Sequence, residues 1–271
     1  GAPANTLLLP WGANPELFSP EKRSSTLRER LGIEPEALVI LAVGRMVYKK
    51  GFNILLKALP QVLKINPNIH LILGGDGALR GELEQQAKQL NLHDKVSFPG
   101  RIPWNEMPAY LASGDIFCLP SILDQAGNLD GLPTVLPEAM ASGAAVIASD
   151  IGGVRLVVQT DQNGLVVEPG QADELAAAIT ALVEQPGLRH RLGQAARQSV
   201  LERYNWTWVA GQIGDLLEKA AWQYAHATRL GTVYRDEMVK LLDKRPKAGW
   251  VLDVGCHDGY WLSTLDSPLK V

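Results

Sequence analysis

The chain has 271 residues, of which 46% are hydrophobic and 20% charged, and its formal net charge at pH 7 is −3. This length suits one large domain or two small ones, and the apolar content is sufficient for a substantial core. The small negative charge gives no electrostatic reason to expect DNA or RNA as a partner, and no apolar run approaches the roughly 20 residues of a membrane-spanning helix.

Strand and helix patterns alternate along most of the chain. Short apolar runs bounded by turn residues predict strands at 7–9, 38–44, 69–73, 96–98, 116–119, 145–148 and 164–167. Amphipathic spacing predicts helices at 52–65, 79–90, 107–112, 172–183, 188–204 and 208–224. Because such alternation builds right-handed βαβ units, the sequence predicts an α/β fold. We expect a Rossmann-like, doubly wound parallel sheet with helices on both faces, followed by C-terminal helices.

The stretch 121–150 combines a polar loop, a short helix and a buried strand. Thr134 is predicted to cap the helix with its hydroxyl. Pro137 would occupy the third helical position, where its absent N–H has no intrahelical partner to lose. Gly143 fits the left-handed position beyond the last turn. The free N–H groups and the positive dipole end of such a helix favour an anion in front of it.

Two pairs of charged residues lie where a ligand site is expected. Asp130 and Glu138 bracket the predicted helix start, and carboxylates beside a phosphate site suit ribose or sugar hydroxyls. Arg45 and Lys50 follow the strand 38–44, and ligands of doubly wound sheets bind at the carboxyl ends of strands. From spacing alone, solvated surface charges are the better explanation of both pairs.

Four motifs, in this order, resemble those of the group 1 glycosyltransferases, a retaining family with the GT-B fold. They are Gly44-Arg45 with Lys50-Gly51, then Gly74-Gly75-Asp76-Gly77, then Gly100-Arg101-Ile102, and finally the stretch from Asp130 to Ala141, with Gly-Leu-Pro and Glu-Ala-Met-Ala inside it. The resemblance covers roughly residues 5–220 and implies the C-terminal, nucleotide-sugar-binding half of a GT-B enzyme. The two glycine motifs are also compatible with ordinary turns after strands.

The resemblance implies a role for each matching residue. Arg45 and Lys50 would bind the donor diphosphate and Glu138 the ribose hydroxyls, while Asp130, where the family often has Glu, would contact the donor sugar. With Arg45, Lys50 and Asp130 as catalytic residues, the remaining substrate-binding positions are Gly44, Gly75, Ile102, Gly131, Leu132, Pro133, Thr134 and Val135. Lys49 is an additional cation with no implied role.

The implied function is that of a glycosyltransferase donor domain in polysaccharide biosynthesis. It would bind a nucleoside diphosphate sugar, with no cofactor and no metal, for retaining transfer of a hexosyl group to a glycan or lipid-linked acceptor. The acceptor site would belong to a missing N-terminal domain, so this chain alone is expected to transfer nothing. The implied location is cytoplasmic, including a peripheral position at the inner face of the membrane.

Two other functions are considered. A non-catalytic nucleotide-binding or docking module is compatible with Leu156, which stands where the family usually has Glu. A Rossmann oxidoreductase needs Gly-x-Gly-x-x-Gly opening the helix after the first strand, and Gly44-Arg45-Met46 does not provide it.

The resemblance to the glycosyltransferase family ends near residue 220, and a different segment follows. A linker helix is expected at 224–242 and a strand at 250–255, and Asp253 to Gly259 resembles the first motif of S-adenosylmethionine-dependent methyltransferases. Only twelve residues follow Gly259, so a truncated methyltransferase-like strand is expected at 221–271, after a donor domain at 1–220. The cysteines, Cys118 and Cys256, lie in apolar runs and are expected to be buried thiols, which fits a reducing compartment.

Overall fold

The computed structural model describes residues 9–227. The predicted strand at 7–9 lies almost entirely outside this part, and Leu9 belongs to no strand. The predicted strand at 250–255, the methyltransferase-like motif and Cys256 lie outside the described residues as well. So does the predicted helix at 224–242, apart from its first four positions, which continue the preceding helix.

Six parallel strands form one sheet, with the spatial order β3-β2-β1-β4-β5-β6. Their bounds are Leu38–Val43 (β1), Ile69–Gly74 (β2), Val96–Gly100 (β3), Ile116–Leu119 (β4), Ala145–Ser149 (β5) and Leu165–Val167 (β6). The strands run outward from the centre in two directions, because β1 leads to β2 and β3 on one side and β4 leads to β5 and β6 on the other. The predicted doubly wound parallel sheet is confirmed.

Burial of both sheet faces explains why the strands are continuous apolar runs. In β1, Val39, Leu41 and Val43 point into one core cluster, and Ile40 and Ala42 point into the other. A strand has a side-chain period of two, so a run with no polar residue must have hydrophobic layers on both sides.

Eight helices are described, and most of them cover the two faces. They are Ser25–Arg30 (α1), Phe52–Ile65 (α2), Arg80–Gln89 (α3), Met107–Ser113 (α4), Val135–Ala141 (α5), Ala172–Glu184 (α6), Pro186–Glu202 (α7) and Trp206–Ala227 (α8). Buried residues of α2, α3 and α6 belong to one core cluster, and those of α1, α4 and α5 to the other. The predicted helices are confirmed within two or three residues at their ends, and α1 had no counterpart in the sequence prediction.

The short helix α5 departs from its predicted start in one respect. Thr134 is the residue before the helix, but its hydroxyl makes no capping bond, because its dihedral angles (φ −59°, ψ −31°) are already helical. A capping side chain needs an extended backbone, whereas here the Leu136 N–H already donates to the Pro133 carbonyl at 3.1 Å. Pro137 is at the third position and Gly143 has φ +79°, as predicted.

The chain divides into two units, Gly1–Ile213 and Gly214–Val271. The sheet and all residues of the predicted site lie in the first unit. Cys118, on β4, is buried, and burial raises the pKa of its thiol. No helix in the described part of the chain is long and apolar enough to cross a membrane.

Candidate functional site

The point where the strand order reverses lies between β1 and β4. These strands are paired, with Ile40 opposite Ile116 and Leu41 opposite Phe117. The helices that follow these strands pack on opposite faces of the sheet, α2 in one core cluster and α5 in the other, an arrangement that in doubly wound sheets leaves a crevice above the strand ends. Ligands of doubly wound sheets bind at this position. The loop after β1 carries Arg45 and Lys50, and the loop after β4 carries Asp130.

The two loops meet at Gly51. The Ile122 N–H donates to the Lys49 carbonyl at 2.9 Å, which fastens the turn Tyr48–Lys50 to the loop after β4. Gly51 has φ +64°, and a Cβ there would lie 1.8 Å from the Pro120 carbonyl oxygen. Only glycine tolerates this conformation and this approach. Gly51 therefore sets the distance between the lysine turn and the loop that carries Asp130.

Asp130 is bound by two lysines. Its Oδ2 is 2.6 Å from Lys50 Nζ, and its Oδ1 is 3.1 Å from Lys49 Nζ. Ser121 Oγ donates to Oδ2 at 3.3 Å. The side chains of Asp130 and Lys50 are each 12% exposed, so water screens this group only partly. Burial acts to raise the pKa of Asp130, but the two ammonium groups outweigh it and hold that pKa below its ordinary value.

A glycine pair after β5 packs against the backbone of Asp130. A Cβ at Gly152, where φ is +58°, would lie 2.2 Å from the Asp130 carbonyl oxygen. The neighbouring Gly153 N–H donates to the Gly131 carbonyl at 3.3 Å. Gly152 and Gly153 thus contact the backbone of Asp130 and Gly131. The sequence did not predict this contact.

Glu138 has the opposite environment. It lies in the first turn of α5, half-buried, and its carboxylate makes no hydrogen bond or ion pair within residues 9–227. Burial raises its pKa from 4.5 to about 7. A carboxylate that is desolvated and unpaired is stabilised by any hydroxyl donors that reach it.

Arg45 is exposed, and its guanidinium makes neither a hydrogen bond nor an ion pair in the described part of the chain. The structure therefore brings Lys50 and Asp130 into contact but does not join Arg45 to them. Gly44, next to Arg45, leaves room for the Lys50 side chain, since a Cβ there would lie 3.3 Å from Lys50 Cε.

The glycine motifs after β2 and β3 lie beside Gly44. The Gly44 N–H donates to the Gly74 carbonyl at 3.0 Å, and the Gly75 N–H donates to the Gly100 carbonyl at 2.8 Å. Ile102 packs against the backbone of Gly74, where a Cβ would lie 2.4 Å from Ile102 Cδ1. Ile102 also lines a surface cavity of about 450 Å³ together with Arg101, Pro103, Trp104 and Met107.

The segment before α5 presents backbone donors. Within residues 9–227, the N–H groups of Leu132, Thr134 and Val135 donate no backbone hydrogen bond. Gly131 and Thr134 are exposed, and Leu132, Pro133 and Val135 are partly buried. These groups are the unpaired donors that a helix start normally leaves.

Comparison with known proteins identifies relatives of most of this chain. The family model described as "Glycosyl transferases group 1" matches residues 24–199. A GDP-mannose-dependent monoacylated alpha-(1-6)-phosphatidylinositol monomannoside mannosyltransferase of Corynebacterium glutamicum is 33% identical over 214 residues, which are 78% of this chain and 55% of that protein. The chain spans about half the length of the curated relatives it matches.

Solved structures share the fold. The Anabaena protein HepE, crystallised with UDP and glucose, has a TM-score of 0.66 and 28% identity over 76% of this chain and 55% of its own. The C-terminal domain of a glycosyl transferase group 1 family protein from Francisella tularensis has a TM-score of 0.62 and 26% identity. That match covers 72% of this chain and 100% of the Francisella chain.

Proposed function

The chain belongs to the glycosyl transferases group 1 family, and we propose that it is the donor half of a GT-B glycosyltransferase. It binds a nucleoside diphosphate sugar for retaining transfer of a hexosyl group to a glycan or lipid-linked acceptor. The observation that carries the proposal is the contact of Lys50 with Asp130 at 2.6 Å on the loops that follow β1 and β4, together with a Glu138 carboxylate that has no partner within residues 9–227. The complex of HepE with UDP and glucose and the GDP-mannose dependence of the Corynebacterium relative support a nucleotide-sugar donor.

The diphosphate is the leaving group, and it gains negative charge as the glycosidic bond breaks. Lys50 is the buried cation of the crevice, and Arg45 is an exposed one on the same loop. The N–H groups of Leu132, Thr134 and Val135 add fixed dipoles. Charges aimed at the leaving group lower the barrier because they bind the transition state more tightly than the ground state. These groups do this without a metal ion or other cofactor.

Glu138 binds the ribose. Its carboxylate has no partner within residues 9–227 and is partly desolvated, so hydrogen bonds from two ribose hydroxyls offset its desolvation. Asp130 contacts the donor sugar through Oδ2, the carboxylate oxygen that Lys50 releases when it turns to the diphosphate. Gly75 and Ile102 provide the adjoining surface for the nucleotide.

The acceptor half of the active site belongs to a further domain, since the match with the Corynebacterium relative covers only 55% of that protein. We expect the isolated chain to bind nucleotide weakly and to transfer no sugar. We also propose a cytoplasmic location, where nucleotide sugars are available.

Titration calorimetry of UDP, GDP and ADP against the purified chain, with and without magnesium, tests the proposal. We expect metal-independent binding of one nucleotide, which Lys50→Ala and Glu138→Ala each weaken. Lys57→Ala is the matched control, because Lys57 is an exposed lysine on α2, away from the strand ends.

Unchanged affinity in folded Lys50→Ala and Glu138→Ala variants contradicts this site. If the folded chain binds none of the three nucleotides, the donor-domain proposal for this chain is contradicted. That outcome favours a non-catalytic docking module, a function with which the exposed Leu156 is compatible.

A further inference from the structure

We propose that Lys49 is a positioning residue of the donor site, which holds Asp130 in place when Lys50 turns to the diphosphate. The inference rests on the proposed function, and it assigns a role to a residue that does not itself contact the donor. Three contacts carry it: Lys49 Nζ to Asp130 Oδ1 at 3.1 Å, Lys49 Nζ to the Leu129 carbonyl at 3.4 Å, and the Ile122 N–H to the Lys49 carbonyl at 2.9 Å.

The first step of the argument is that one carboxylate serves two cations. Asp130 uses Oδ2 for Lys50 and Oδ1 for Lys49. A diphosphate carries more charge than one carboxylate, so it draws Lys50 away from Oδ2 when it enters the crevice. Without a second partner, Asp130 would then be a charge at 12% exposure beside an anion, which is strongly unfavourable. Lys49 prevents this because it remains on Oδ1.

The second step is that Lys49 is anchored independently of Lys50. Its backbone carbonyl is bound by Ile122, and its ammonium also bridges to the Leu129 carbonyl, one residue before Asp130. The Lys49 side chain is 22% exposed, against 12% for Lys50, and lies nearer the surface. The two neighbouring lysines therefore have different tasks: Lys50 is free to exchange partners and Lys49 keeps the loop end fixed.

The third step concerns the reach of Asp130. An aspartate is one carbon shorter than the glutamate that is common at this position in the family, so its carboxylate depends more on where its backbone lies. Gly152 supports that backbone from below, at 2.2 Å from a Cβ position to the Asp130 carbonyl oxygen. Lys49 binds the carboxylate at Oδ1. Together they fix the position of the Asp130 carboxylate.

A double-mutant cycle tests this role in the whole chain. The affinities for UDP, GDP and ADP are measured by calorimetry in the wild type, Lys49→Met, Asp130→Asn and the double variant. We expect Lys49→Met to weaken binding at least fivefold in the wild-type background, and less than twofold in the Asp130→Asn background, where no charge needs holding. Lys49→Arg should restore the affinity to within twofold, and Lys57→Met should leave it unchanged.

Each other outcome overturns the inference in a distinct way. An equal loss in both backgrounds means that Lys49 contacts the nucleotide directly. No loss in Lys49→Met means that Lys50 and Gly152 hold Asp130 without it. A wild-type chain that binds none of UDP, GDP and ADP removes the proposed function itself, and the positioning role with it.

Discussion

Two carboxylates eight positions apart in one motif have opposite surroundings. Asp130 has a cation on each oxygen, and the pKa of its carboxyl lies below the ordinary value. Glu138 has no partner in the described part of the chain, and burial raises its pKa to about 7. Both side chains are partly buried, so burial alone does not separate them. The difference comes from the lysine turn after β1, which reaches Asp130 only.

The candidate site thus has a part whose polar groups are already paired, around Asp130, and a part whose carboxylate, that of Glu138, still lacks partners within residues 9–227. The Asp130 region is held by backbone contacts at Gly51 and Gly152, and its carboxylate is paired with two lysines before any ligand arrives. The Glu138 region keeps a carboxylate whose interactions are incomplete. A ligand gains most where the protein has left a polar group unsatisfied, so Glu138 is the position at which hydroxyl recognition contributes most to affinity.

Gly51→Ala should disrupt the paired part around Asp130 and has the largest expected effect. The added Cβ would meet the Pro120 carbonyl oxygen at 1.8 Å and force the two loops apart. We expect a loss of about 3 kcal/mol or more in the free energy of unfolding, measured by urea denaturation. Gly127→Ala is the matched control, since Gly127 also has positive φ but no atom within 4 Å. It should cost about 1 kcal/mol, the conformational strain alone. Equal losses in the two variants would contradict the loop contact.

Lys50→Met should remove one of the two cations from the paired carboxylate of Asp130. Asp130 then keeps a single cation, and the diphosphate loses its most buried one. We expect the dissociation constant of the preferred nucleoside diphosphate to rise at least tenfold, about 1.4 kcal/mol. Arg45→Ala should show a similar loss, although its side chain is exposed. A folded Lys50→Met variant with wild-type affinity would remove Lys50 from the site.

Glu138→Gln should sharpen the contrast with the smallest effect. The folded-state pKa of Glu138, about 7, lies above its ordinary value of 4.5, so the folded chain holds a proton that the unfolded chain releases. This contribution to stability is complete below pH 4.5 and is lost as the pH rises through 7. The variant should therefore be more stable than the wild type at pH 8, by roughly 1–2 kcal/mol, and about equal at pH 5. Urea denaturation at both pH values measures this. A difference that is the same at pH 5 and pH 8 would show that Glu138 does not titrate in this range.

The periodicity of the chain was sufficient to predict the fold. The central strands of the sheet are runs such as 38–43, with no charged residue, because both of their faces are buried. The helices that cover those faces carry their apolar residues at helical spacing, as α2 does with Leu55, Leu59 and Val62. In these elements the local hydrophobic pattern agrees with the burial in the fold, so the pattern was sufficient to predict which residues are buried.

Contacts between distant loops could not be predicted in the same way. Lys49 is adjacent to Lys50 in sequence, and nothing local reveals that both reach Asp130. Gly152 received no role from the sequence, but its backbone packs against the Asp130 carbonyl. The Thr134 cap was wrong because Pro133 and Leu136 close the first turn early, which depends on the loop that enters α5. The family resemblance supplied the candidate residues, but only the fold gives the pairing of Lys49 and Lys50 with Asp130.

The most direct test of the account is the affinity of the preferred nucleotide between pH 5.5 and 8.5, in the wild type and in Glu138→Gln. The phosphate of the nucleotide titrates in this range too, and the ratio of the two affinities isolates the side chain. If ionised Glu138 binds the ribose, the advantage of the wild type should be largest at pH 8.5. It should fall as the pH drops through about 7 and be reduced nearly tenfold one unit below the pKa. A ratio that does not change with pH, or a folded chain that binds no nucleotide, would contradict the account.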